Sequence, residues 1–255
     1  MDWFLEVAPP EDDHTTSYTP GDLFDLLSTS TETRFHAGHL FMRYFHLVSC
    51  VDEDEEQEAL EAVTWDLAVA CLALSVKFHR DVLFPLDVIY AQEFLELAPH
   101  AMEFADLENA QRDVLEALSY RIGSATPGAF MEELSEALPT LRKLVGFDGG
   151  WDGVQKKAWD VLCDALQQQD LLRFPLSVLT ATAIMEGVLD VLVKRYRSTG
   201  TDGRGKPCKR DSGSLRKAAV KCSRGARLDV QEVLQISDEE LFACQKWLGV
   251  YVESK

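Results

Sequence analysis

The apolar residues of this chain recur at helical spacing rather than in strand alternation. Residues 33–49 place Ala37, Leu40, Phe41, Tyr44 and Phe45 on one face of a 3.6-residue period. Residues 63–78 are apolar nearly all round, the pattern of a helix enclosed by others. A helix over 85–95 opens with Pro85 in its first turn, where the missing N–H costs nothing. Residues 104–122 return to one apolar stripe through Leu107, Val114, Leu115 and Leu118, and Gly123-Ser124 break it.

The second half repeats the scheme. Thr126-Pro127 reads as an N-cap and a first-turn proline, followed by Phe130, Leu134, Leu138 and Leu141, with Pro139 kinking or ending that helix. The segment 146–150, Gly-Phe-Asp-Gly-Gly, is a turn. A helix over 151–166 buries Ala158, Val161, Leu162 and Ala165, and residues 175–196 form a second strongly apolar helix. The segment 197–226 has few large apolar residues and many Gly, Ser, Lys and Arg, which predicts a loop. Two short helices, over 230–236 and 238–252, close the chain, with Ser237 and Glu240 as a capping box. The fold class expected is all-α, about ten helices in two similar halves. Each half is a small orthogonal bundle around a central apolar helix.

Charge and composition narrow the partners. The 255 residues hold 43 Asp+Glu against 25 Lys+Arg, a net charge of −18. Residues 194–227 carry twelve Lys/Arg and two Asp, so an acidic body of net −28 surrounds one segment of net +10. Such a body repels phosphate backbones and weighs against nucleic acid as a partner. The start, Met1-Asp-Trp-Phe-Leu-Glu, has no basic stretch before an apolar run and is not expected to be a secretory leader. The longest clean apolar run, 67–76, is too short to span a membrane, so no membrane partner is expected. Six scattered cysteines without a Cys-x-x-Cys pair fit reduced thiols of an intracellular protein of the nucleus or cytoplasm.

Little in the chain resembles catalytic machinery. There is no Gly-rich phosphate loop, no G-x-S-x-G and no paired-carboxylate signature, so no enzyme, no cofactor and no small-molecule substrate are expected. His36-x-x-His39, with His46 beyond, lacks cysteine partners and the H-E-x-x-H pattern. These read as helix-surface histidines, and no metal is expected. The acidic run of Asp52, Glu53, Asp54, Glu55, Glu56, Glu58 and Glu61 reads as a solvated insertion ahead of a docking surface for a basic partner. Lys206, Lys209 and Arg210 open a basic cluster with three readings: a plain loop, a nuclear localisation signal, or a patch for nucleic acid or an acidic partner.

The run Ala70-Cys-Leu-Ala-Leu-Ser-Val-Lys77-Phe78 resembles the third helix of a cyclin box, A-x-x-L-L-A-S-K-F. Leu107-Glu108, Val114-Leu115, Leu118 and Tyr120, then Thr126-Pro127 and Phe130, resemble its fifth helix and exit, E-x-x-I-L-x-x-L-x-[WF] and T-P-x-x-F. Thr33, Ala37 and Arg43 match the second helix, and 174–183 resembles the P-S-x-I-A-x-A-A helix of the second box. The resemblance implies two five-helix repeats. The first box would cover 31–125 behind an N-terminal segment 1–30; the second would cover 126–255 with a basic loop 197–226. It implies a subunit without catalysis that binds and activates a cyclin-dependent kinase, by biasing the kinase helix that completes the catalytic Lys–Glu pair. The family's kinase-gripping Lys and Glu fall on Lys77 and Glu108.

The chain departs from the family at Met42, which stands where the second helix has an aspartate bridged to a first-helix arginine. Losing one member of a buried pair costs about 3–5 kcal/mol, whereas losing both can be neutral. His79-Arg80 replace the usual K-F-E-E continuation. Two other functions fit the same fold: a nucleic-acid-associated transcription factor, and a helical adaptor that has lost kinase activation.

Overall fold

The computed structural model describes residues 1–6, 23, 27, 30–48, 57–79, 89–123, 125–168, 170–201, 205 and 211–249. It is all-helical, with no strand among the described residues. The chain divides into two compact units, Met1–Ser124 and Ala125–Lys255.

In the first unit, α1 (Asp2–Glu6), α2 (Thr31–Val48), α4 (Ala91–Leu95) and α5 (Phe104–Ala117) accompany α3 (Gln57–Phe78). Every residue of α3 from Leu67 to Val76 is buried, as an all-apolar helix requires, and α2, α4 and α5 pack on it. The edge of Trp3 meets Trp65 with centroids 5.5 Å apart, and Phe4 lies 5.3 Å from Phe41, so the first residues of the chain cover α2 and α3. Leu23 and Leu27 are helical and fully buried in the same core.

The second unit contains α6 (Pro127–Ala137), α7 (Pro139–Val145), α8 (Gly150–Leu166), α9 (Leu176–Thr199), α10 (Ser212–Leu234) and α11 (Asp238–Trp247). The Thr126 hydroxyl caps α6 by accepting from the Ala129 amide, with Pro127 in the first turn. Leu138 is extended and Pro139 starts a new helix, since the residue before a proline leaves the helical region. Ser237 and Glu240 form the expected capping box of α11. All five other helices pack on α9. By length and composition α9 could cross a membrane, yet 72% of its apolar window is buried inside the unit. Two glycines bring α8 and α9 together: Gly153 faces Val191, and Gly187 faces the backbone of Val154.

Several elements differ from the sequence expectation. The predicted loop 197–226 is largely helix: α9 continues to Thr199, and α10 begins at Ser212. Small residues hid the pattern. Leu215, Ala219, Ser223, Ala226 and Val230 form a buried stripe against α9, and the Asp211 carboxylate caps the helix by accepting from the Ser214 amide at 2.9 Å. The expected helix 230–236 is the end of α10, closed by Gln235 at φ 54°. The 104–122 helix stops at Ala117, where Ser119 and Tyr120 take left-handed conformations at φ 51° and 59°. The 238–252 helix stops at Trp247, ahead of Gly249 at φ 66°. Of the helix expected over 85–95, Ala91–Leu95 is present, and 80–88 lie outside the described residues.

A methyl group at Gly187 would sit 2.5 Å from the Val154 carbonyl oxygen. Alanine's higher helix propensity, about 1 kcal/mol, does not offset a backbone clash. Gly187→Ala should therefore lower the unfolding free energy by about 1–3 kcal/mol in denaturant titrations. A variant as stable as the parent would show that α8 and α9 are not in close contact.

Candidate functional site

At the C-terminal end of α3 the buried run stops and the helix reaches solvent beside α5. Val76 is buried, whereas Lys77 and Phe78 are exposed. A cation suits this position because the last carbonyls of a helix carry partial negative charge. The Lys77 ammonium donates to the Gln111 side-chain oxygen on α5. Gln111 is itself held by donating to the Leu107 carbonyl at 3.1 Å. Partial burial moves the Lys77 ammonium below the ordinary lysine value.

Glu108 lies one turn before Gln111 on the same side of α5, exposed, with Arg112 at 3.9 Å. It sits in the second turn of α5, since the helix starts at Phe104. Phe104, Glu108, Gln111 and Leu115 follow at helical spacing, beside a buried stripe of Leu107, Ala110, Val114 and Leu118. Lys77 and Glu108, singled out separately in the sequence, thus flank one residue, Gln111. Phe78, next to Lys77 in the chain, is 42% exposed, and Phe104, one turn before Glu108, is 57% exposed. Gln111 itself carries no sequence signal apart from falling one turn after Glu108.

Behind this edge lies a polar cluster that the histidine spacing alone did not suggest. His36 is not a surface residue; it is 5% exposed. Its Nε2 lies 3.0 Å from the Ile122 carbonyl, which can only accept, so Nε2 carries the hydrogen. Its Nδ1 lies 3.0 Å from the Ser75 hydroxyl, which also approaches the Thr33 carbonyl at 2.7 Å. Ser75 therefore has one hydrogen for two acceptors. These contacts join α2, α3 and the segment that leaves α5. His79 donates through Nδ1 to the Ser75 carbonyl at 2.9 Å, and its ring centroid is 5.1 Å from that of His36. Phe78 covers His36 at 5.0 Å and rests on Gly123, where a methyl group would come within 2.9 Å of the ring. Arg43 donates to the Arg121 carbonyl at 2.9 Å and fastens the same exit to α2.

Elsewhere the sequence candidates are not brought together. Among the described residues no three His, Cys, Asp or Glu side chains converge as a metal site would require. His39 instead stacks on Phe35, with ring centroids 6.2 Å apart. Lys206, Lys209 and Arg210, and residues 51–56 of the acidic run, lie outside the described residues, whereas Glu58 and Glu61 fall not in an insertion but in the first turns of α3, which begins at Gln57.

Burial lowers the His36 imidazole from 6.5 to about 4, against the raising effect of the Ile122 hydrogen bond. Burial, then the nearby Arg43 charge, lowers His39 to about 4 as well. Both groups are held neutral in the fold, so their contribution is complete above pH 6.5 and is lost as pH falls toward 4. From pH 7 to pH 5, His36 alone should account for about 2 kcal/mol of lost stability. His36→Gln should lose correspondingly less over that interval in denaturant unfolding. Equal losses in the two chains would contradict a neutral, buried His36.

Comparison with known proteins finds no matching family model, no matching curated relative and no matching solved structure.

Proposed function

We propose that this chain is a cyclin-like regulatory subunit that binds and activates a cyclin-dependent protein kinase. On this reading the two units are cyclin-box repeats, each arranged around its apolar helix, α3 or α9. The kinase-facing surface is the end of α3 with the exposed stripe of α5. The single observation that carries the reading is the placement of Lys77 and Glu108. The two residues matching the family's kinase contacts flank Gln111 on one exposed edge, with Phe78 and Phe104 beside them.

The chemistry suits a protein interface. Exposed aromatics supply contact area at low entropic cost, and polar groups at their margin set the register. A helix of the kinase laid along α5 would bury Phe104 and finish covering Leu115 while meeting Lys77 and Glu108 between them. Such a contact favours one conformation of a two-state kinase by its differential affinity for that state. The buried cluster of His36, Ser75 and Thr33 fixes α2 against α3, so the edge is preformed and little ordering entropy is lost on binding.

The double charge reversal Lys77→Glu with Glu108→Lys tests this surface. Both residues are exposed, so the fold should survive, as circular dichroism would verify. Binding to cyclin-dependent kinases from the source cells should weaken at least about tenfold, with kinase activity falling in parallel. Unchanged binding and activation would remove this assignment.

A further inference from the structure

The helix α10 has a second face that the kinase reading does not use. Its buried stripe packs on α9, and the opposite side presents Lys217, Val220, Lys221, Arg224 and Leu228 to solvent. Separations of three, one, three and four residues keep all five within an arc of about 100° on one side of the helix. Val220 is 43% exposed and Leu228 52%. The remaining cations of α10 are committed within the unit: Arg216 makes a bidentate pair with Glu186 at 2.9 and 2.6 Å, and Arg227 meets Asp238 at 2.8 Å. Lys217, Lys221 and Arg224 come within ion-pair distance of no carboxylate among the described residues, and Arg224 acts only from further off on Asp238, which Arg227 already holds.

We infer that this face of α10 is a docking surface for an acidic amphipathic helix of a partner protein. Two observations select that occupant. First, the three unpaired cations recur at about one turn and call for carboxylates at matching spacing. Second, Val220 and Leu228 share their face. Phosphate oxygens gain nothing from two aliphatic side chains, whereas an amphipathic helix covers them with residues at i, i+3 and i+7. From Lys217 to Leu228 the face runs about 17 Å, the length of a three-turn helix. The surface lies in the second unit and stands independently of the kinase-facing edge.

The test uses the full chain and a fluorescein-labelled peptide of about 16 residues, a length that spans the face with a turn to spare. The peptide has Glu at i, i+4 spacing on one side and Leu at i, i+3 and i+7 on the other. A scrambled peptide of the same composition and a short DNA duplex serve as comparisons. Fluorescence anisotropy should detect saturable binding of the amphipathic peptide that weakens with salt. The triple variant Lys217→Glu, Lys221→Glu, Arg224→Glu should reduce affinity at least about tenfold, and Leu228→Ser, at constant charge, several-fold. The scrambled peptide should bind more weakly than the ordered one. Absence of binding, binding indifferent to the triple variant, or a duplex that competes as well as the peptide with Leu228→Ser silent would each overturn the inference. Circular dichroism of the variants keeps loss of fold from passing as loss of binding.

Discussion

A helix with no polar face must be enclosed, and the first unit is organised by that constraint. From Leu67 to Val76, α3 offers water nothing, so α2, α4, α5 and the first residues of the chain close around it. Burying each large aliphatic side chain is worth about 1.5–3 kcal/mol, which makes enclosure the dominant favourable term for the unit. The same constraint places the charge. A lysine cannot be buried unpaired along such a helix, and Lys77 occurs where α3 emerges beside α5. The edge proposed to meet the kinase is thus a consequence of how the core terminates.

Polar groups inside that core must be answered within it. Ser75 is fully buried on α3 and contacts α2 twice, through the Thr33 carbonyl and the His36 ring. The other nitrogen of His36 reaches Ile122, past the left-handed turn at Ser119 and Tyr120. One imidazole therefore ties three segments, and its neutrality is enforced by burial. Misaligning any of them would strand a buried polar atom at about 1–3 kcal/mol. This sets a preferred register for α2 on α3 that apolar packing alone would specify less strictly.

What could be read in the sequence follows from how far each signal is local. Thr126-Pro127, Ser237 with Glu240, and the two all-apolar helices are short-range patterns, and they appear as elements, although α3 begins at Gln57, six residues before its apolar run. The helix α10 was hidden because its buried stripe is built from alanine and serine among glycines and cations. Its stability comes from packing on α9 and from the Asp211 cap, neither of which composition reveals. His36 looked like one of a pair of surface histidines, since nothing in its spacing announces Ser75 or Ile122, 39 and 86 residues away. Lys77 and Glu108 could be picked out singly, but their common neighbour Gln111 is a tertiary fact.

The uneven charge of the chain fits a division of labour between its units, with the edge proposed to meet a kinase in the first and the cationic face of α10 in the second. Hydrogen exchange measured by mass spectrometry, with and without a cyclin-dependent kinase, tests the central claim directly. The account predicts slowed exchange over 74–79 and 104–116 on adding kinase, with the α10 peptides 212–228 unchanged. Protection confined to other segments, or none under conditions where the kinase is bound, would contradict it.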